Sequence, residues 1–65
     1  MKGFQVLFTK NYSKMYKYNV ELLVPEKDGS ISVFIKYLGN SLKAAKKEAR
    51  YIKKIYNAED KRVIL

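Results

Sequence analysis

The amino-acid sequence predicts an α+β domain, with a three-stranded antiparallel sheet and one amphipathic helix packed on one face in the order β-β-β-α. Two observations predict this class. The first 40 residues contain runs that alternate between apolar and polar side chains, and from Leu42 apolar residues recur every three or four positions. At 65 residues the chain suits a single small domain, 1–65. Two layers are the smallest arrangement that buries both apolar surfaces.

Three alternating runs predict the strands. The first covers residues 4–8 and the second residues 16–24, which Pro25 ends. Asp28-Gly29 indicates a turn, so the second run and the third, residues 31–38, form a hairpin. The segment 39–41, Gly-Asn-Ser, ends the third run.

The helix is predicted over residues 42–56. Ser41 or Asn40 caps its first turn by accepting a hydrogen bond from a free backbone N–H. Asn57 is a suitable end because asparagine tolerates the left-handed conformation that often follows a helix. The tail 61–65 is apolar enough to form a short C-terminal fourth strand or to dock on the domain.

Composition argues against several functional classes. The chain has 14 Lys plus Arg against 6 Asp plus Glu, a formal net charge of +8, and no Cys or His. The commonest general base, the thiol nucleophile and the preferred zinc ligands are therefore missing, so we expect no enzyme, no cofactor and no metal. No apolar stretch approaches the ~18 residues of a membrane span, so we expect a soluble cytoplasmic protein with no membrane partner.

The positive charge is concentrated in the helix. Residues 1–40 carry a net +3, residues 41–57 a net +5 and residues 58–65 none. At about 100° per residue, the six cations of the helix fall within roughly a third of its circumference. We call this set the basic stripe: Lys43, Lys46, Lys47, Arg50, Lys53 and Lys54.

The basic stripe destabilises its own helix. Six like-charge pairs stand three or four residues apart, and Glu48, the only acid of the segment, has no basic residue at those spacings. Each pair costs about 0.2–0.5 kcal/mol at low salt. Lys43 also lies in the first turn, where the helix dipole disfavours a cation. An anionic partner with spaced charges explains this pattern, and nucleic acid fits best. The alternative is an ordinary solvated face enlarged by a lysine-rich composition.

The start of the helix resembles the last part of a double-stranded RNA-binding domain. That family places a Gly-x-Ser-Lys-Lys-x-Ala-Lys-x-x-Ala segment after a three-stranded sheet, and the matching positions are Gly39, Ser41, Lys43, Ala45, Lys46 and Ala49. Leu42 replaces the first lysine of the motif, and the family's N-terminal helix and Gly-Pro-x-His loop have no counterpart. The resemblance covers about a dozen residues. It implies that Lys43 and Lys46 contact phosphates.

Two further surfaces are candidates. Three residues of the first connection and the helix cap form a secondary contact, unless the connection is only a polar turn: Lys10, Tyr12, Lys14 and Ser41. The sheet face away from the helix, here called the open face, would present a polar and aromatic set suited to base stacking: Lys17, Asn19, Lys36 and Phe34. Three leucines on the same face, together with Phe34, favour a homodimer or a bound protein instead: Leu7, Leu23 and Leu38.

The sequence therefore predicts a small non-enzymatic protein that binds DNA or RNA through phosphates. The alternative is a protein-binding module or inhibitor, such as a phage-type accessory protein, that meets an acidic partner with the basic stripe or the open face.

Overall fold

The computed structural model describes residues 3–61 of the chain, with the side chains of residues 3–59. Its elements are β1 (Gln5–Lys10), β2 (Tyr18–Pro25), β3 (Ile31–Gly39), α1 (Leu42–Tyr56) and β4 (Glu59–Lys61). The strand order in the sheet is β3-β2-β1-β4. The predicted α+β class, with three antiparallel strands followed by one helix, is confirmed. None of the described residues belongs to a helix with the length and apolarity needed to cross a membrane.

The core lies between α1 and one face of the sheet. Its buried residues come from the first two strands, the helix and the segment that follows it: Val6, Val20, Leu22, Ala45, Ile52 and Ala58. Ala49 and Tyr56 pack against this cluster, as the helical periodicity predicts. The short side chains of Ala45 and Ala49 allow the helix to approach the sheet closely.

Both helix caps agree with the sequence. The hydroxyl oxygen of Ser41 accepts a hydrogen bond from the backbone N–H of Ala44 at 3.2 Å. Asn57 ends the helix with φ 49°, in the left-handed region. Of the two capping candidates, Ser41 is the cap.

The predicted hairpin turn is also present. Gly29 has φ +91°, which glycine adopts without the steric cost of a side chain. The Asp28 carboxylate accepts hydrogen bonds from the backbone N–H of Ser30 at 2.9 Å and from its hydroxyl at 2.6 Å. These two bonds lower the pKa of Asp28 below its ordinary value, because they stabilise the charged form.

The fourth strand starts earlier than the sequence indicated. The prediction placed it in residues 61–65, whereas β4 is Glu59–Lys61 and residues 62–65 lie outside the described part of the chain. β4 runs parallel to β1, with Glu59 opposite Gln5, and its first N–H donates to the carbonyl of Phe4 at 2.9 Å. The complete sheet is therefore mixed. Only its first three strands are antiparallel.

A bulge in β3 changes which side chains reach the open face. Leu22 pairs with Ile35 but Leu23 pairs with Val33, so Phe34 is an extra residue. The ring of Phe34 lies 6.0 Å from that of Tyr56 on the helix, in an edge-to-face arrangement. Placing Phe34 on the open face was wrong, because strict alternation does not hold across a bulge.

Candidate nucleic-acid interface

All six side chains of the basic stripe are exposed on α1. The helix buries Ala45 and Ile52 against the sheet, and the helical geometry turns the stripe away from that face. Lys53 and Lys54 lie in the last turn, where the helix dipole favours cations. No acidic residue stands in the first turn, where the dipole would favour one.

Five of the six stripe cations have no ion-paired carboxylate among the described side chains. Within residues 3–59, no carboxylate oxygen forms an ion pair with Lys43, Lys46, Lys47, Arg50 or Lys54. The sheet offers a contrast. On the open face Lys36 faces Glu21 across the strands, and their charged atoms are 3.5 Å apart. The five helix cations form a field of one sign that an external anion would compensate.

One flank of the helix borders β3. Tyr37 of β3, together with Ala44, Glu48 and Tyr51 of the helix, lines a shallow groove. Lys47 contributes the rim of this groove and is also a member of the stripe. The stripe therefore extends from this rim around the outer side of the helix.

Lys10 is placed at the end of the sheet where the helix begins. It pairs with Tyr18, which pairs with Gly39, so the three residues form one row across the sheet. Lys10 follows Val6 and Phe8 on the side of the sheet that packs against α1. The register therefore puts this cation on the same side of the sheet as the stripe.

Asn40 fastens the β1–β2 connection to the start of the helix. Its side-chain oxygen accepts a hydrogen bond from the N–H of Lys17 at 2.8 Å, and its side-chain nitrogen donates to the carbonyl of Met15 at 3.2 Å. Exposed Lys14 belongs to this connection. Asn40 thus ties the predicted secondary contact to the end of α1 that Ser41 caps.

Tyr12 is held on the opposite side of the molecule. Its hydroxyl accepts a hydrogen bond from Lys36 Nζ at 2.7 Å, and the same nitrogen lies 4.9 Å from the centre of the ring. The Tyr12 hydroxyl, and after it the Glu21 carboxylate, raise the pKa of Lys36 above its ordinary value. Because Lys36 is on the open face, the sheet separates Tyr12 from the basic stripe.

The three leucines of the open face expose little surface to a partner. Leu23 is buried, and Leu7 and Leu38 are half-buried. Asn19, predicted to be presented for stacking, is only 1% exposed. The exposed large apolar side chains of β3 instead lie in its first half: Ile31, Val33 and Phe34.

Sequence reasoning missed two exposed apolar residues beside the stripe. Tyr51 is 62% exposed and Ile55 57% exposed, both on the flank of α1 toward β3. The sequence did contain this signal. With Leu42 at 0°, the helical projection puts Tyr51 at about 180° and Ile55 at about 220°, outside both the core face and the stripe. An aromatic side chain at such a position does not contribute to the core.

Comparisons with known proteins do not extend the assignment. No protein-family model matches the chain, and neither a curated protein nor a solved structure does. The fold and the interface define it as a small α+β domain with a basic helix.

Proposed function

We propose that the chain is a small non-enzymatic protein that binds nucleic acid, DNA or RNA, by holding its phosphate backbone with the basic stripe. One observation carries the proposal: five exposed cations share one side of α1, with no ion-paired carboxylate within residues 3–59. Cations of this kind release the counterions condensed on nucleic acid when they contact phosphates. That release is favourable and does not depend on base sequence.

The length of the stripe suits this role. Residues 43–54 span about three helical turns, roughly 17 Å along the axis. Cations repeated along one side of such a helix can contact several successive phosphates. Lys10 and Lys14 would extend the contact beyond the start of the helix, where Asn40 holds the β1–β2 connection.

Salt-dependent binding of a labelled DNA duplex tests the proposal. If about four phosphates are neutralised, the logarithm of affinity falls with the logarithm of salt concentration at a slope near −3.6. Combining Lys46→Ala, Lys47→Ala and Arg50→Ala should weaken binding to every sequence and make the slope shallower by about 2.7. Titration by fluorescence anisotropy from about 50 to 200 mM salt measures both effects.

A control variant separates the stripe from net charge. Lys17→Ala combined with Lys27→Glu lowers the net charge by the same amount but leaves the stripe intact. We expect it to retain most of the affinity and the full salt slope. If the triple variant binds as tightly as the wild type, the stripe is not the binding site. The same conclusion follows if the control variant loses as much affinity as the triple variant.

A protein partner is the second candidate, and the exposed edge of the sheet favours it. β3 is an edge strand whose first half exposes Ile31, Val33 and Phe34. Edge strands with apolar side chains pair readily with another chain. A phage-type accessory protein of this kind would bring an acidic partner to the stripe and the edge together. Nucleic-acid binding that vanishes at ~150 mM salt while an acidic protein remains bound would favour this candidate.

A further inference from the structure

The groove between α1 and β3 has the composition of a small binding site. Its volume is about 350 Å³, and Tyr37, Ala44 and Tyr51 are among the residues that line it. Ligand sites in proteins usually enclose roughly 300–1,000 Å³ and combine apolar walls with a few polar groups. Here the polar groups are the ammonium of Lys47 and the carboxylate of Glu48.

Tyr51 is the unusual member of this groove. It is 62% exposed, whereas Tyr12 is 40% exposed and the other four tyrosines are half-buried. Tyr51 follows Lys47 by four residues and precedes Lys54 by three, so both cations are its neighbours on the helix surface. An exposed aromatic ring therefore lies directly beside two members of the basic stripe.

This arrangement matches the chemistry of a nucleotide. A base is joined to its phosphate through one sugar, so a strand whose phosphates contact Lys47 and Lys54 brings a base to the ring of Tyr51. Stacking of a base on an aromatic side chain tolerates any sequence, because every base has a π-face. Ala44, which lines the same groove, has a small side chain.

The carboxylate of Glu48 would favour a base over a phosphate in the groove. It repels a phosphate but accepts a hydrogen bond from the exocyclic amine of a base. Glu48 is half-buried beside Tyr37 and Tyr51, whereas the stripe cations are exposed. This distribution of charge favours phosphates at the stripe and a base in the groove.

We infer that the groove of Tyr37, Glu48 and Tyr51 binds an unpaired base, so that the protein prefers single-stranded nucleic acid to a duplex. In a duplex the bases are stacked on one another, and they are not available to a groove beside the backbone. This inference rests on the proposed function, because the phosphates must first be held by the stripe.

Tyr51→Ala tests the inference with two labelled probes, a single-stranded DNA of about 12 nucleotides and the duplex of the same sequence. We expect wild type to bind the single strand more tightly. Tyr51→Ala should weaken single-strand binding by about 5- to 150-fold and leave duplex binding unchanged. Tyr51→Phe, which keeps the ring, should bind like the wild type. Circular dichroism verifies that each variant is folded.

Ile55→Ala is the matched control, because Ile55 is about as exposed on the same flank but has no aromatic ring. It should leave both affinities unchanged. The inference is overturned if Tyr51→Ala binds the single strand as tightly as the wild type does. It is also overturned if the variant loses affinity for both probes equally. If the triple stripe variant loses binding while Tyr51→Ala does not, only this inference fails. If the stripe variant binds normally, the proposed function itself fails.

Discussion

At the scale of single residues, Asn19 is the clearest departure from what a sheet prefers. It lies in β2 between Thr9 of β1 and Leu38 of β3, and only 1% of it is exposed. Neither its side-chain nitrogen nor its oxygen has a hydrogen-bond partner among the described residues. Burying polar atoms without partners destabilises a fold by about 1–3 kcal/mol.

Replacing this amide should stabilise the protein. Asn19→Val removes both polar atoms and introduces a β-branched side chain that suits a strand, so we expect the free energy of unfolding to rise by about 1–2 kcal/mol. Urea denaturation followed by circular dichroism measures the change. Asn19→Ala, which removes the amide but leaves a cavity, should gain less. A clear loss of stability in Asn19→Val would contradict the prediction and show that the amide forms a bond that matters.

Tyr12 and Asn40 show how single residues position the β1–β2 connection. Tyr12 is held by Lys36 on the open face, and Asn40 holds the backbone of Met15 and Lys17. These contacts join residues more than 20 positions apart in the sequence. Sequence patterns indicated a polar connection here but not its partners, because such side-chain hydrogen bonds have no periodicity.

Among the secondary-structure elements, α1 has features that stabilise it and features that destabilise it. Ser41 and Asn57 provide both caps, and Ala45 and Ile52 are fully covered by the sheet. The basic stripe opposes these contributions, because six like-charge pairs at helical spacing cost roughly 1–3 kcal/mol in total before screening. Because lysines at these positions lower the stability of the helix, the binding of an anion explains their presence better than folding does.

Reversing one charge of the stripe should therefore raise the stability of the protein and lower its affinity for nucleic acid. In Lys46→Glu, the new carboxylate is attracted to Lys43 three residues earlier and to Arg50 four residues later. We expect unfolding to cost about 1–2 kcal/mol more at low salt, while nucleic-acid affinity falls. Thermal denaturation and anisotropy measure the two quantities on one preparation.

Lys27→Glu serves as the control, because it makes the same charge change in the β2–β3 turn, away from the helix. Its gain in stability at low salt should be clearly smaller, because it has no like-charge neighbours at helical spacing. If Lys46→Glu were less stable than the wild type, the estimated repulsion within the stripe would be wrong.

β3 shows the limit of alternation as a guide to a strand. Its length and its end were predicted well, since the run 31–38 became Ile31–Gly39. The bulge at Phe34 depends on how β3 aligns with β2, and one extra residue reverses the faces of everything before it. Open-face residues after the bulge, such as Lys36 and Leu38, therefore followed the prediction, whereas Phe34 did not.

For the molecule as a whole, the property that most affects stability at low salt is the net charge. The described Cα atoms have a radius of gyration of 11.6 Å, and the chain carries a formal charge of +8. The Debye length is about 30 Å at 0.01 M salt and about 10 Å at 0.1 M. At low salt, each cation therefore repels cations throughout the domain.

Sodium chloride should accordingly stabilise the protein. Raising it from about 10 to 300 mM screens the repulsion, and for a domain of this size each 1 kcal/mol raises the unfolding midpoint by roughly 4–8 °C. Thermal scans followed by circular dichroism measure the shift. The triple Ala variant of Lys46, Lys47 and Arg50 should show a smaller rise. A midpoint that falls with salt would mean that attractive ion pairs outweigh the repulsion.

Five of the eight exposed large apolar residues among those described belong to β3 or to the flank of α1 toward it. β3 is the edge strand that carries Ile31, Val33 and Phe34, and the flank of α1 above it carries Tyr51 and Ile55. A homodimer would more readily use these exposed residues than the buried or half-buried leucines of the open face. The sequence had placed that contact on Leu7, Leu23, Leu38 and Phe34.

The sequence was enough to predict four features, because each depends on local preference or on periodicity within one element: the α+β class, the helix with both caps, the hairpin turn and the basic stripe. Four other features arise only when the chain folds: the bulge that moves Phe34, the parallel pairing of β4 with β1, the burial of Asn19 and the groove that Tyr37 and Tyr51 share beside Lys47. These features depend on how separate elements align, and no pattern within a single element records that alignment.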